Sequence, residues 1–233
     1  HSLSDDEKLY KTAAEREASL LEFLGDAAGH GLTIDDAIYR SERDTGHRNR
    51  AIAHLLRNFG ILEGDPEEPL DLYFRQCSVV VTARDLAVMA ATLANGGVNP
   101  LTHRRVLQPH NTGRVLSVMS SCGMYDYAGQ WIYNVGMPAK SGVAGGILAV
   151  LPGQLGVAVF SPPLDAKGNS VRGIRVCNDL SNDFGLHLFN TPGWSRRRSN
   201  RSRPAPRSAA SVSARGTSWI CSASTDTPSG CIS

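Results

Sequence analysis

Lysine is scarce in this sequence. Only positions 8, 11, 140 and 167 carry one, so any chemistry that needs an amine has few candidates. None of the four has a serine three residues before it, and the string S-D-N occurs nowhere. No stretch approaches the ~18–20 consecutive apolar residues of a membrane-spanning helix. The first residues show no charged-then-apolar leader pattern. Cysteine is present five times (77, 122, 177, 221, 231), an odd count, widely spaced and without a C-x-x-C pair. That pattern argues against a disulfide framework and against a structural zinc site, and it fits reduced thiols in a cytoplasmic protein.

The 233 residues are 41% hydrophobic and 20% charged, enough apolar mass for one substantial core. Their net charge of +2 conceals a division. Residues 192–233 hold seven Arg and one Asp, whereas the other 191 residues hold 17 basic and 21 acidic groups. Eleven of the 42 residues from Pro192 onward are Ser, and apolar periodicity ends there. Such a composition cannot bury enough surface to offset its ordering entropy, so a disordered Arg/Ser-rich tail is expected over 191–233.

Before that tail the pattern is mostly helical. Ser4-Asp5-Asp6-Glu7 has the form of a capping box. Leu9, Ala13, Leu20, Leu21 and Leu24 follow near helical period until Gly29-His30-Gly31. Helices are predicted over 33–43 and 49–59, separated by Gly46, with Ile52, Leu55, Leu56 and Phe59 sharing one face of the second. Another is predicted over 65–76. Thr82-Ala83-Arg84-Asp85 opens a helix that runs to Asn95-Gly96-Gly97. Helical patterns return over 110–121 and 126–134. Two β-rich runs, 146–151 and 155–160, flank the turn residues Pro152-Gly153-Gln154, which predicts an antiparallel hairpin. A last helix is expected over 169–188. Helices with a late hairpin make an α+β pattern.

Lys140-Ser141-Gly142 stands just before the hairpin. A K-[ST]-G triplet on a strand edge is one of three landmarks of serine β-lactamases and penicillin-binding proteins. It sets a cation and a hydroxyl beside backbone N–H groups that can face an acyl-enzyme oxyanion. The other two landmarks, S-x-x-K and S-D-N, are not in this sequence, and a chance lysine entering a strand would look the same.

Longer strings are more specific. Ser41-Glu42-Arg43-Asp44-Thr45-Gly46-His47-Arg48-Asn49-Arg50-Ala51 comes first, then Tyr73-Phe74-Arg75-Gln76-Cys77-Ser78-Val79. Gly123-Met124-Tyr125-Asp126-Tyr127-Ala128-Gly129 and Lys140-Ser141-Gly142-Val143-Ala144-Gly145-Gly146-Ile147 follow. In order and spacing these resemble the successive signatures of the serine-dependent glutaminases, over roughly residues 3–190. The resemblance implies a β-lactamase/transpeptidase-like α+β fold, with a helical subdomain and an antiparallel sheet flanked by helices. It also implies hydrolysis of L-glutamine to L-glutamate and ammonia, no cofactor and no metal, and a homo-oligomer, tetramer or dimer.

By motif position, Glu42 would hold the α-ammonium of glutamine and Asn49 would help hold its α-carboxylate. A desolvated ammonium is tolerated only when paired with an anion. Read by residue type alone, Glu42 is a solvated helix-end acid and Asn49 a helix cap. With Gly46 between them, the two are expected to converge across a turn. Tyr73 and Tyr125 match the family's two active-site tyrosines, Tyr125 being the one near the nucleophile, since a phenol can bind substrate or relay a proton. A core or interface tyrosine is the plain alternative for each. Val143 matches the position whose backbone N–H completes an oxyanion hole. Lys140 and Ser141 would support the site from the strand, while Cys77 and Cys122 read as packing cysteines.

The family's nucleophile is the Ser of an S-x-x-K motif upstream of every string above, and no such motif is here. The expectation is therefore the C-terminal part of a glutaminase catalytic domain over 1–190, without its nucleophile segment. The alternatives are a non-catalytic glutamine- or glutamate-binding homologue, an assembly subunit, or a β-lactam target, which the E-R-D-T-G-H-R-N string fits poorly. Seven Arg in the tail could neutralise nucleic-acid phosphates; a solvated tail explains them equally, so neither nucleic acid nor membrane is expected as a partner.

Overall fold

The computed structural model describes residues 12–190 and the strand Ser218–Ser222. The chain divides into two compact units, residues 1–26 with 30–81 and residues 27–29 with 82–233. The cap expected at Ser4–Glu7 lies outside the described residues. Helix α1 (Ala13–Ala28) opens on Thr12-Ala13-Ala14-Glu15. There the Thr12 N–H donates to Glu15 Oε2 (3.0 Å) and the Glu15 N–H to Thr12 Oγ1 (3.2 Å), a reciprocal capping box.

The first unit is helical: α2 (Asp36–Thr45), α3 (His47–Asn58) and α4 (Glu67–Cys77). Asp35 caps α2 by accepting from the N–H groups of Ala37 and Ile38. Tyr39, Ala53, Leu70 and Phe74 form its small core. Around that core runs a polar chain. Arg75 pairs with Asp71 (2.9 Å) and with Glu17 (2.9 Å), its guanidinium stacks 4.4 Å from the Tyr39 ring centroid, and the Tyr39 hydroxyl donates to Asp71. Burial works to raise the Asp71 carboxyl, but the Tyr39 and Arg75 hydrogen bonds and the Arg75 charge outweigh it and hold the group below its ordinary value. The apolar face predicted on the 49–59 helix does not point into a core: Ile52, Leu55 and Phe59 are exposed, and small Ala53 makes the buried contact.

The second unit contains α5 (Ala83–Ala94), α6 (Pro109–Cys122), a 3-10 turn (Tyr125–Tyr127), α7 (Ala128–Asn134), β1 (Ala139–Ser141), β2 (Gly146–Leu151), β3 (Leu155–Phe160), α8 (Val171–Phe184) and β4 (Ser218–Ser222). The predicted hairpin is β2–β3, antiparallel, with Gly146 opposite Phe160 and Leu151 opposite Leu155. The sheet order is β1-β2-β3-β4, so Lys140 lies on an edge strand. Successive residues of a strand face opposite sides. Ile147, Ala149, Val157 and Val159 face the main core with Trp131, Met137 and Cys177. On the other side, Val150 meets Ala90 and Ala94 of α5, and Ala158 meets Ala87 and Ala91. The predicted cap of α5 forms as a full capping box between Thr82 and Asp85.

Within the tail expected to be disordered, Ser218–Ser222 pair antiparallel with β3. Trp219, Ile220 and Cys221 give that short stretch strand propensity, and the β3 edge supplies backbone donors and acceptors that need partners. The rest of 191–233 lies outside the described residues. Cys77 and Cys122, read as packing residues, are exposed; Cys177 is the packed thiol, and burial pushes it up to about 12.

Two tests follow from this packing. A Cβ on Gly156 would reach within 2.6 Å of the Ala90 side chain, so Gly156→Ala should overpack the α5–β3 contact and lower stability by about 1–3 kcal/mol in urea unfolding. Because Asp71 has a lowered folded value, its contribution is complete above about pH 4 and fades as pH falls through that value. Asp71→Asn should therefore cost roughly 1 kcal/mol or less at pH 7, solvent screening a pair this exposed, and the gap from the native chain should close on acidification below pH 4.

Candidate functional site

Each unit carries one cluster of the residues singled out from the sequence. In the first unit, α2 and α3 are two helices because Gly46 separates them. This glycine is required by close approach. A Cβ there would lie 2.6 Å from Phe74 Cε1 and 2.9 Å from the Glu42 carbonyl oxygen. Phe74, on α4, thus packs directly against the joint. Arg50 ties the same joint from the other side. Its Nη1 donates to the Arg43 carbonyl (2.7 Å), its Nε donates to Glu67 (3.1 Å), and its guanidinium stacks 5.4 Å from the Phe74 centroid. Glu42 therefore ends one helix and Asn49 stands in the first turn of the next, both half-buried. Asn49 is not the cap; Gly46 is, with no side-chain hydrogen bond.

Tyr73 is adjacent to Phe74 on α4, and its exposed ring meets Phe74 edge-on at 5.9 Å. One turn later comes Cys77. Burial first pushes its thiol up and the negative charge of Glu42 adds to this, while a hydrogen bond from Tyr73 pulls the other way. Glu42, Tyr73 and Cys77 thus share one neighbourhood, although solvent still reaches the cysteine. Sequence reasoning passed over Cys77 as a member of this group. The signal was its spacing, since Tyr73 and Cys77 are four apart on a helix. The carboxylate and the phenol here are suited to a zwitterionic ligand: the carboxylate for an ammonium, the phenol as a donor to oxygen.

In the second unit the K-S-G strand and the tyrosine turn are bound together. The Ser141 N–H donates to the Gly123 carbonyl at 3.1 Å. Gly123 is tight against β1, and a Cβ would collide with the Ala139 carbonyl. Two residues on, Tyr125 has φ +52°, a left-handed conformation that non-glycine residues seldom adopt. Its half-exposed ring lies under Lys140 Nζ, 4.3 Å from the centroid, and Nζ also donates to the Ser141 carbonyl. The Ser141 hydroxyl is buried with no hydrogen-bond partner among the described residues.

Val143 stands at the tip of the β1–β2 turn, 69% exposed, so its side chain does no packing. The turn is held beneath it: the Gly142 N–H donates to the Gly146 carbonyl, and the Gly145 N–H to the Gly142 carbonyl, each at 2.9 Å. Among the described residues the Val143 N–H donates to none. A free backbone donor in the turn that follows the Lys140 strand is a group suited to a developing oxyanion. No group of three or more His, Cys, Asp and Glu that could hold a metal occurs among the described residues.

Comparison with known proteins gives this geometry its context. Residues 4–189 match the glutaminase family model. The glutaminase of Trichormus variabilis is 58% identical over 177 residues, which cover 76% of this chain and 53% of that protein. Glutaminase 2 of Bradyrhizobium diazoefficiens is 60% identical over 167 residues, 72% of this chain and 27% of that one. A crystal structure of Mglu in its glutamate form superposes with a TM-score of 0.74 at 49% identity, over 77% of this chain and 41% of that chain. The chain spans about half the length of the Trichormus relative. With the family match running through every motif described above, the chain belongs to the glutaminase family.

Proposed function

We propose that this chain carries substrate-binding and proton-relay residues of a glutaminase, which hydrolyses L-glutamine to L-glutamate and ammonia through a serine acyl-enzyme. The observation that carries this reading is in the second unit: Tyr125, left-handed and stacked under Lys140, whose strand leads into the turn with the free Val143 N–H, in a chain of this family. The glutamate form of Mglu shows that a relative about half identical to this chain takes the proposed product.

The roles follow from the chemistry of each group. Glu42 neutralises the substrate α-ammonium, while Asn49 and Tyr73 donate to its α-carboxylate. The Val143 N–H takes one lobe of the negative charge that builds on the amide oxygen when the nucleophile attacks. Tyr125 takes up the proton that the nucleophile's hydroxyl releases and passes it to the departing nitrogen, so that ammonia and not amide anion leaves; water then opens the acyl-enzyme and its proton returns to the nucleophile's oxygen. Lys140 holds the Tyr125 ring face and keeps the local potential positive. Ser141 fixes the strand edge through its backbone. The reading involves no metal or cofactor. Residues 1–190 act as part of the catalytic domain, in a homo-oligomer, tetramer or dimer, to which the exposed apolar residues of α3 are suited. A cytoplasmic location agrees with Cys77, Cys122 and Cys177 being free thiols among the described residues.

The nucleophile is the component this sequence lacks, since no lysine stands in an S-x-x-K context. The purified chain should accordingly release no ammonia from L-glutamine. A chimera joining it to the portion of the Trichormus variabilis glutaminase outside the match should do so. In that chimera Tyr125→Phe should lower kcat by about 10²–10⁴-fold. Glu42→Gln should mainly raise KM, by roughly tenfold or more, as expected for a lost charge-assisted bond. A folded chimera without ammonia release, or release by the chain alone, would overturn the reading.

A further inference from the structure

Nothing within the tyrosine turn itself explains why Tyr125 stays left-handed. The turn starts at the Met124 carbonyl, which accepts the Tyr127 N–H at 3.1 Å. The same oxygen takes a second donor, Nδ2 of Asn169, at 3.5 Å. Asn169 is fully buried, and its Oδ1 has no hydrogen-bond partner among the described residues. A buried carbonyl left unpaired is a standing cost, and such exceptions call for a reason. Turning the amide over would put Oδ1 against the Met124 oxygen, so the orientation is set by that one acceptor.

Asn169 is itself held firmly. Asp165 Oδ1 accepts the N–H groups of Lys167 and Asn169, both at 2.9 Å, and the Asp165 N–H donates to the Asn169 carbonyl at 2.8 Å. Next to it, Ser170 caps α8 through the Gly173 N–H and donates its hydroxyl to the Ser161 carbonyl at 2.8 Å. The same loop touches the tyrosine turn a second time, with Lys167 Nζ 5.4 Å from the Tyr127 ring centroid. A rigid loop therefore reaches the carbonyl immediately before Tyr125 with a side chain whose only paired end is the one aimed there.

We infer that Asn169 is a positioning residue: through the Met124 carbonyl it keeps Tyr125 in its left-handed conformation and so aims the phenol. The value of that aim rests on the relay role proposed for Tyr125; the backbone effect itself does not. Asn169 touches no reacting atom. Lys167 braces the turn from the outside and does not set φ.

The test uses the full chain, isotopically labelled, and needs no substrate, so it fails or succeeds independently of the glutaminase reading. A positive φ brings the amide and α protons of one residue close, and Tyr125 should show a strong intraresidue cross-peak in NOE spectra. Asn169→Ala and the similarly sized Asn169→Leu should weaken that peak severalfold, to the level of residues with negative φ, while signals of the Trp131 core remain. Lys167→Ala should leave it unchanged. An undiminished Tyr125 peak in a folded Asn169 variant, or the same loss in Lys167→Ala, overturns the inference. Should Asn169→Ala not fold, adding Tyr125→Gly must restore the fold, because glycine holds the left-handed conformation unaided; no rescue overturns the inference equally.

Discussion

One backbone hydrogen bond organises the second unit, the donation from the Ser141 amide to the Gly123 carbonyl. It joins the end of α6 to an edge strand, a contact possible only because Gly123 has no side chain to strike the Ala139 carbonyl. Just beyond that weld Met124 is buried in the core, and the Tyr125 ring lies under Lys140. The first unit has an equivalent constraint in Gly46, where Phe74 presses on the α2–α3 joint and sets Glu42 and Asn49 on successive helices. In both places a glycine is needed for the room it leaves, not for an unusual φ.

Much of this was legible in the sequence where the signal is local. The β2–β3 hairpin falls on its expected residues because Pro152-Gly153-Gln154 is turn chemistry between two β-rich runs. Thr82 caps α5 as its T-x-x-D spacing requires. Gly46 divides the two helices as expected. The K-S-G triplet lies on an edge strand, a position that periodicity alone cannot assign and that the family strings supplied.

What was not legible depends on partners remote in sequence. The capping box of Thr12 and Glu15 goes unmarked because its T-x-x-E spacing sits inside an apolar run that itself reads as helix. The α3 apolar face looks like core by period, yet the small core of the first unit is filled by Tyr39, Leu70 and Phe74 with Ala53, leaving Leu55 and Phe59 outside. Cys77 and Cys177 are indistinguishable as letters, and only the surrounding packing makes one accessible and the other inert. Asn169 gives no signal at all until the Met124 carbonyl is seen above it.

The scarcity of lysine acquires a spatial meaning. Among the described residues the only two amines are Lys140 and Lys167, and each covers a tyrosine of the same three-residue turn. Every other cation there is a guanidinium or an imidazole. Acylating agents aimed at primary amines would thus be drawn, within this region, to the two flanks of a single turn. Neutralising either flank strips a cation from an aromatic face, and at Lys140 it also weakens the Nζ donation to the Ser141 carbonyl. The fold has in effect concentrated its amine reactivity on a segment that already holds a left-handed tyrosine.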